Sequence, residues 1–158
     1  MLALSNSRSA AARRQHGFSL IEVLVALLVL SVGLLGLAML QIEGLKHNTD
    51  AYYRTQATVL AYDIIDRMRA NSDAARNGNY VSTAIPAEET CGESPSGCGS
   101  AAALAGYDLH HWYTQLKAAL PIDETDPPTI TMSGNQITVT IKWKERGISK
   151  TRAWVIEL

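Results

Sequence analysis

Residues 18–40 read FSLIEVLVALLVLSVGLLGLAML, an apolar run carrying a single formal charge, Glu22. As a helix this run spans roughly 34 Å, enough to cross a bilayer core of about 30 Å. No other feature restricts the fold as strongly, because the body that follows is too small to wrap so much apolar helix. Arg8, Arg13 and Arg14 precede the run, and the first charge after it is Glu43. The positive-inside rule therefore puts the N-terminus in the cytoplasm and the C-terminal body on the far side of the membrane.

Simpler membrane segments explain less. A secretory signal has a shorter apolar core followed by small residues at a cleavage site, and Gln41-Ile42-Glu43 offers no such site. A plain signal anchor fits the length but gives no reason for Glu22. A central carboxylate costs about 2.5–3.5 kcal/mol on insertion scales, less near a helix end, so its presence points to function. Charge elsewhere is also uneven: residues 1–17 carry +3, leaving −4 on the other 141. A weakly acidic body argues against general nucleic-acid binding, which depends on neutralising phosphates. Cys91 and Cys98 cannot close a tetrahedral zinc site alone. In an exported body a disulfide is the simpler reading, with two free thiols as the alternative.

Beyond the run, residues 41–70 lack proline, and Tyr53, Ala57, Leu60, Ile64 and Met68 recur at helical spacing. This stripe predicts a helix from Phe18 to about Ala70, with Asp63–Arg67 and Asp66–Arg69 as ion pairs on its exposed side. Asn71, Ser72, Asn77 and Gly78 are stop signals. Residues 71–100 are rich in Gly, Ser, Asn and Pro and read as a loop holding both cysteines. Ser100 is a candidate N-cap for a second helix ending before Pro121, with Ala105, Leu109, Trp112, Leu116 and Leu120 on its buried face. His110 and His111 point in different directions and read as surface polar residues. From Thr129 the period changes to two. Ile130 and Met132 lead to a Ser-Gly-Asn turn. Ile137, Val139, Ile141 and Trp143 then alternate with polar partners, and a turn at Arg146-Gly147 precedes a last strand. Lys142, Lys144, Arg146, Lys150 and Arg152 cluster around that turn as a possible basic strip. No phosphate loop, nucleophile–base pair or paired catalytic carboxylates emerge, so neither an enzyme nor a cofactor is expected.

Gly17-Phe18-Ser19-Leu20-Ile21-Glu22 behind a basic leader resembles the class III signal of type IV prepilins and type II pseudopilins. The resemblance implies that a prepilin peptidase cuts between Gly17 and Phe18 and N-methylates the new Phe18 terminus. Cleavage creates an α-ammonium group that stays mostly charged at neutral pH. Glu22 lies one helical turn on and can neutralise it. In the family reading Glu22 pairs instead with the Phe18 ammonium of a neighbouring subunit.

Tyr-Asp-Ile-Ile-Asp-Arg-Met-Arg-Ala-Asn (62–71) further resembles the PilV family of minor pilins, also called type IV pilus modification proteins. The match continues through the cysteine loop, the Tyr-Asp-Leu…Trp helix and a terminal sheet. Two departures from major pilins matter: no proline falls late in the apolar run, and the cysteines sit centrally. The resemblance implies a minor pilin of a priming or tip complex that supports piliation, twitching and adhesion. Its partners would be prepilin peptidase, other minor pilins, the major pilin, the inner-membrane assembly platform and a tip adhesin. An I-type minor pseudopilin of type II secretion is the alternative within the superfamily, and a ligand- or DNA-binding tip module the alternative from another class.

The expected fold is α+β and pilin-like. A cleavable leader (1–17) and a transmembrane helix (18–40) precede a periplasmic head (41–158). The head holds a helix (41–70), the cysteine loop (71–100), a second helix (101–120) and an antiparallel sheet (129–158).

The mature protein is expected to begin at N-methyl-Phe18. Intact-mass and N-terminal peptide analysis of cells with and without prepilin peptidase checks this. A terminus near Gln41, or an uncut Met1 form in peptidase-positive cells, would contradict it.

Overall fold

The computed structural model describes residues 17–91 and 97–157. The leader arginines, the middle of the cysteine loop and Leu158 lie outside the described residues. The elements run α1 (Leu20–Ala70), α2 (Ser72–Arg76), α3 (Ala101–Ala119), β1 (Thr129–Ser133), β2 (Gln136–Glu145) and β3 (Ile148–Glu157). The fold is α+β and pilin-like. The chain divides between Gly44 and Leu45 into two units, and α1 contributes to both.

In the first unit every described side chain is exposed. This part of α1 is long and apolar enough to cross a membrane, and none of its most apolar window is buried in the chain. The core helix of a soluble protein would be mostly covered. Ser31 donates its hydroxyl to the Leu27 carbonyl at 2.7 Å, which satisfies it one turn back without water.

The second unit is built around the rest of α1. Ala57, Leu60, Ala61, Ile64, Ile65 and Met68 are buried, with Tyr53 packed at the margin. These positions follow the three-and-four spacing of one helix face. α3 starts where Ser100 accepts a hydrogen bond from the Ala103 N–H at 3.1 Å. The cap satisfies an N–H group the first turn leaves unpaired. Ala105, Leu109, Trp112 and Leu116 turn inward, and Leu120 follows them just past the helix end. Trp112 also donates its indole N–H to the Leu60 carbonyl at 2.9 Å, so the two helices share a polar tie within an apolar contact.

The strands form an antiparallel meander in the order β1-β2-β3. Ile137, Val139, Ile141 and Trp143 of β2 are all buried, because a period of two puts them on one face. Gly134, with φ +58°, leads the first two-residue turn. The second turn holds Arg146 and Gly147 at φ +54° and +80°, the pair of positive values a type I′ hairpin requires. A non-glycine residue there is strained by roughly 1–2 kcal/mol. Arg146 is held by its guanidinium, which donates to Asp50 at 2.7 Å. The outer edge of β1 is bridged at Ile130, which exchanges backbone hydrogen bonds of 2.9 and 2.8 Å with Ser82.

Two expectations change. The segment read wholly as loop after Asn71 contains α2, one short turn whose Ala74 and Ala75 are buried. Its leading Asn, Ser and Asp are turn formers, and they hid a turn stabilised by packing rather than by propensity. Asp63–Arg67 is not a simple surface pair, because Arg67 is half-buried and reaches a third carboxylate, Asp108.

A disulfide joins Cys91 to Cys98. Replacing both with serine is expected to lower stability by about 2–3 kcal/mol in the loop-entropy account. The readout is a lower melting temperature of the purified chain with membrane insertion unchanged. Peptide mapping without reduction should recover the linked pair, and fully alkylatable thiols in exported protein would contradict it.

Candidate functional site

Two of the residues singled out at the N-terminus, Phe18 and Glu22, border one groove at the start of α1. Gly17 and Phe18 precede α1 and are exposed, Phe18 by 83%. The helix begins as the Glu22 and Val23 N–H groups donate to the Ser19 carbonyl at 3.0 and 3.3 Å. Glu22 thus sits in the first turn, where the helix dipole favours a negative charge. Phe18, Glu22, Val23, Ala26, Leu27 and Leu30 line one shallow groove along the helix. Among the described residues no cation pairs with Glu22. The arrangement offers one carboxylate for a charge pair, set in apolar surface that would keep the pair dry. A pair of that kind is costly to break from either side.

The 62–71 run serves a different end. Arg67 donates to Asp63 at 2.9 Å and to Asp108 of α3 at 3.1 Å. Tyr80 donates its hydroxyl to the other oxygen of Asp108 at 2.6 Å. Asn71 donates to the Tyr80 hydroxyl at 3.3 Å and to the Ala101 carbonyl at 2.8 Å. One buried carboxylate thereby links the end of α1, the segment after α2 and the first turns of α3. Burial pulls the Arg67 guanidinium down, but its bonds to Asp63 and Asp108 outweigh that and leave it raised. Burial and then the hydrogen bond to Asp108 push the Tyr80 hydroxyl above its ordinary value. Sequence reasoning missed Asp108 and Tyr80. The signal for Asp108 was its place in the stripe of Ala105, Leu109, Trp112 and Leu116, where an acid needs a partner.

The possible basic strip is largely dismantled. Lys142 pairs with Asp126, Lys144 with Asp123 at 2.7 Å, and Arg146 with Asp50 at 2.7 Å. Lys144, followed by the Thr125 bonds, holds the Asp123 carboxyl well below the usual carboxylate range. Only Lys150 and Arg152 of the five lack an acidic partner among the described residues. Buried Glu145 is satisfied too, accepting from the Trp143 indole at 3.0 Å with Arg54 3.5 Å away. His111 stacks on Tyr107, with ring centroids 5.8 Å apart. Among the described residues no group of three potential metal ligands forms.

Residues 12–38 match the family model described as the prokaryotic N-terminal methylation motif. Residues 39–110 match the one described as type IV pilin Tt1218. The first match contains Gly17, Phe18 and Glu22. The second contains both Arg67 and Asp108, so the polar link lies inside the matched region. No curated protein and no solved structure matches the chain.

Tyr80→Phe is expected to lower stability by about 1–2 kcal/mol near neutral pH, since Asp108 loses a buried donor. The pH dependence has a definite sign. A raised tyrosine keeps its proton in the folded chain while the unfolded one ionises, so its stabilisation is complete below about pH 10 and declines as pH rises beyond it. Urea unfolding of the detergent-solubilised chain, followed by tryptophan fluorescence, should show a shallower alkaline decline for the variant. Identical slopes would remove Tyr80 from the account.

Proposed function

We propose that this chain, which belongs to the type IV pilins, works as a minor pilin, a low-abundance subunit of a priming or tip complex. Processing by a peptidase and assembly with other pilins follow from the family. The observation that carries the reading is an uncovered apolar helix headed by Gly17-Phe18 and carrying Glu22 on the same face as Phe18. Before assembly the bilayer covers that helix, with the head on the periplasmic side. After cleavage the Phe18 ammonium becomes the cation nearest to Glu22. In an assembly the two are paired between neighbours, and the high cost of an unpaired charge in an apolar bundle sets the axial register.

Several features favour a minor subunit over a bulk one. The apolar run has no proline, the cysteines sit centrally rather than closing a C-terminal loop, and the 62–71 run resembles PilV proteins. That run is also the reason to prefer a pilus over a secretion pseudopilin. In this reading the chain joins other minor pilins on the assembly platform, starts the fibre, and supports piliation, twitching and presentation of an adhesin. Direct DNA or ligand binding loses its main support, because three of the five clustered cations are already paired.

Glu22→Ala should leave membrane insertion intact or improve it, since the helix becomes more apolar. Cleavage should largely persist. Surface piliation and crosslinking to other minor pilins should fall sharply, and Glu22→Gln should behave alike, because an amide keeps the shape without the charge. Complementation of a null strain, scored for processing, sheared pili and crosslinks, checks this. If both variants assemble like the parent, Glu22 does not set register.

A further inference from the structure

We infer that the outer edge of β3 binds an extended, acidic segment of another protein, which joins the sheet as a fourth strand. The two sheet edges are treated differently. β1 is blocked at Ile130 by its exchange with Ser82, whereas no described backbone group bonds to the outer side of β3 along Ile148–Glu157. The Arg146-Gly147 turn closes on Glu145 and Ile148, so alternate residues from Ser149 through Val155 turn their N–H and C=O outward. Ten residues of open edge make a template for strand addition.

The chemistry of the occupant follows from charge. Seven described cations of the second unit are matched to an acid: Arg54, Arg67, Arg69, Lys117, Lys142, Lys144 and Arg146. Arg76, beside Met132 and Ile137, has no described ion pair, and neither have Lys150 and Arg152, which alone of these lie on β3. They stand two residues apart on one face of β3, opposite buried Trp143 and Ile141. Arg152 also borders a groove whose far wall is Arg54, Thr55, Thr58 and Val59 of α1. Exposed charges guard an edge against aggregation, and a cationic guard is selective. It repels a like-charged strand and admits one with carboxylates at alternate positions. A second copy added antiparallel about Thr151 would set Lys150 against Arg152 at two places, which is unfavourable. Val155, 58% exposed and on the opposite face of β3 from Arg152, leaves apolar surface for the residues between the acids.

This goes beyond the minor-pilin reading and is tested without a pilus. The probe is a capped nine-residue peptide alternating glutamate and valine, added to the full chain in detergent micelles, with a lysine-for-glutamate peptide as control. Amide exchange at Thr151, Ala153 and Val155 should slow at least tenfold with the acidic peptide and not with the basic one. The double variant Lys150→Glu with Arg152→Glu removes no ion pair among the described residues, so its melting temperature should hold while its peptide preference reverses. No slowing with either peptide, equal slowing with both, or an unchanged preference in the double variant would overturn the inference. Slowing without peptide that grows with protein concentration would assign the edge to a second copy and overturn it equally.

Discussion

Among the described residues nothing covers the first half of α1, and the rest of the molecule answers to that constraint. Side chains from Leu20 to Leu40 are exposed along the whole helix, a surface that water does not tolerate without another phase or another subunit. A bilayer supplies the cover before assembly and neighbouring helices supply it afterwards. Glu22 makes the two environments different. In lipid a single carboxylate is a penalty, while in the proposed assembly of cleaved subunits each would meet an ammonium at the same height. On that proposal the helix is apolar enough for a membrane and marked enough to take a defined position on leaving it.

The head solves a separate problem, holding a small core without help from the apolar half of α1. Its apolar contacts lie between the second half of α1, α3 and the buried face of β2. Polar ties complete those contacts at both ends. At one end, Asp50 and Arg54 of α1, one turn apart, meet Arg146 and Glu145 of the hairpin. At the other, Asp108 collects Arg67 and Tyr80. Each buried acid has a cationic partner, and each removal would leave a charge or a donor unsatisfied. Apolar packing alone would let α3 slide along α1, whereas these directional bonds define one arrangement.

The 62–71 run therefore means something different from what its family resemblance suggests. In sequence it carries the resemblance to PilV proteins. In the fold, Asp63, Arg67 and Asn71 share one face of the helix end and fasten the parts that follow. Residues of such a run need touch no partner to be characteristic, because the head they hold together is what partners meet. The basic cluster shows the reverse: five cations close in sequence become two once their acids are placed, and what remains is an open strand edge with a charge preference.

Much of the molecule was readable before any coordinates. The span of the apolar run, the isolated Glu22, the Tyr53–Met68 stripe, the Ser100 cap and the alternation in β2 are local patterns. Helical and strand periodicity turns such patterns directly into faces and ends. The short helix α2 escaped because its first residues favour turns and only packing of Ala74 and Ala75 stabilises it. Asp108, Tyr80 and the partners of Lys142, Lys144 and Arg146 escaped for a deeper reason. Arg67 and Asp108 stand 41 positions apart, and Asp50 and Arg146 stand 96 apart. No one-dimensional period reports such pairs, because they exist only after the chain has closed its core and made each buried charge choose a neighbour. The sequence by itself determined the membrane helix, its charge and the class of the head; the tertiary structure alone decided which polar groups are satisfied within the chain and which remain for others.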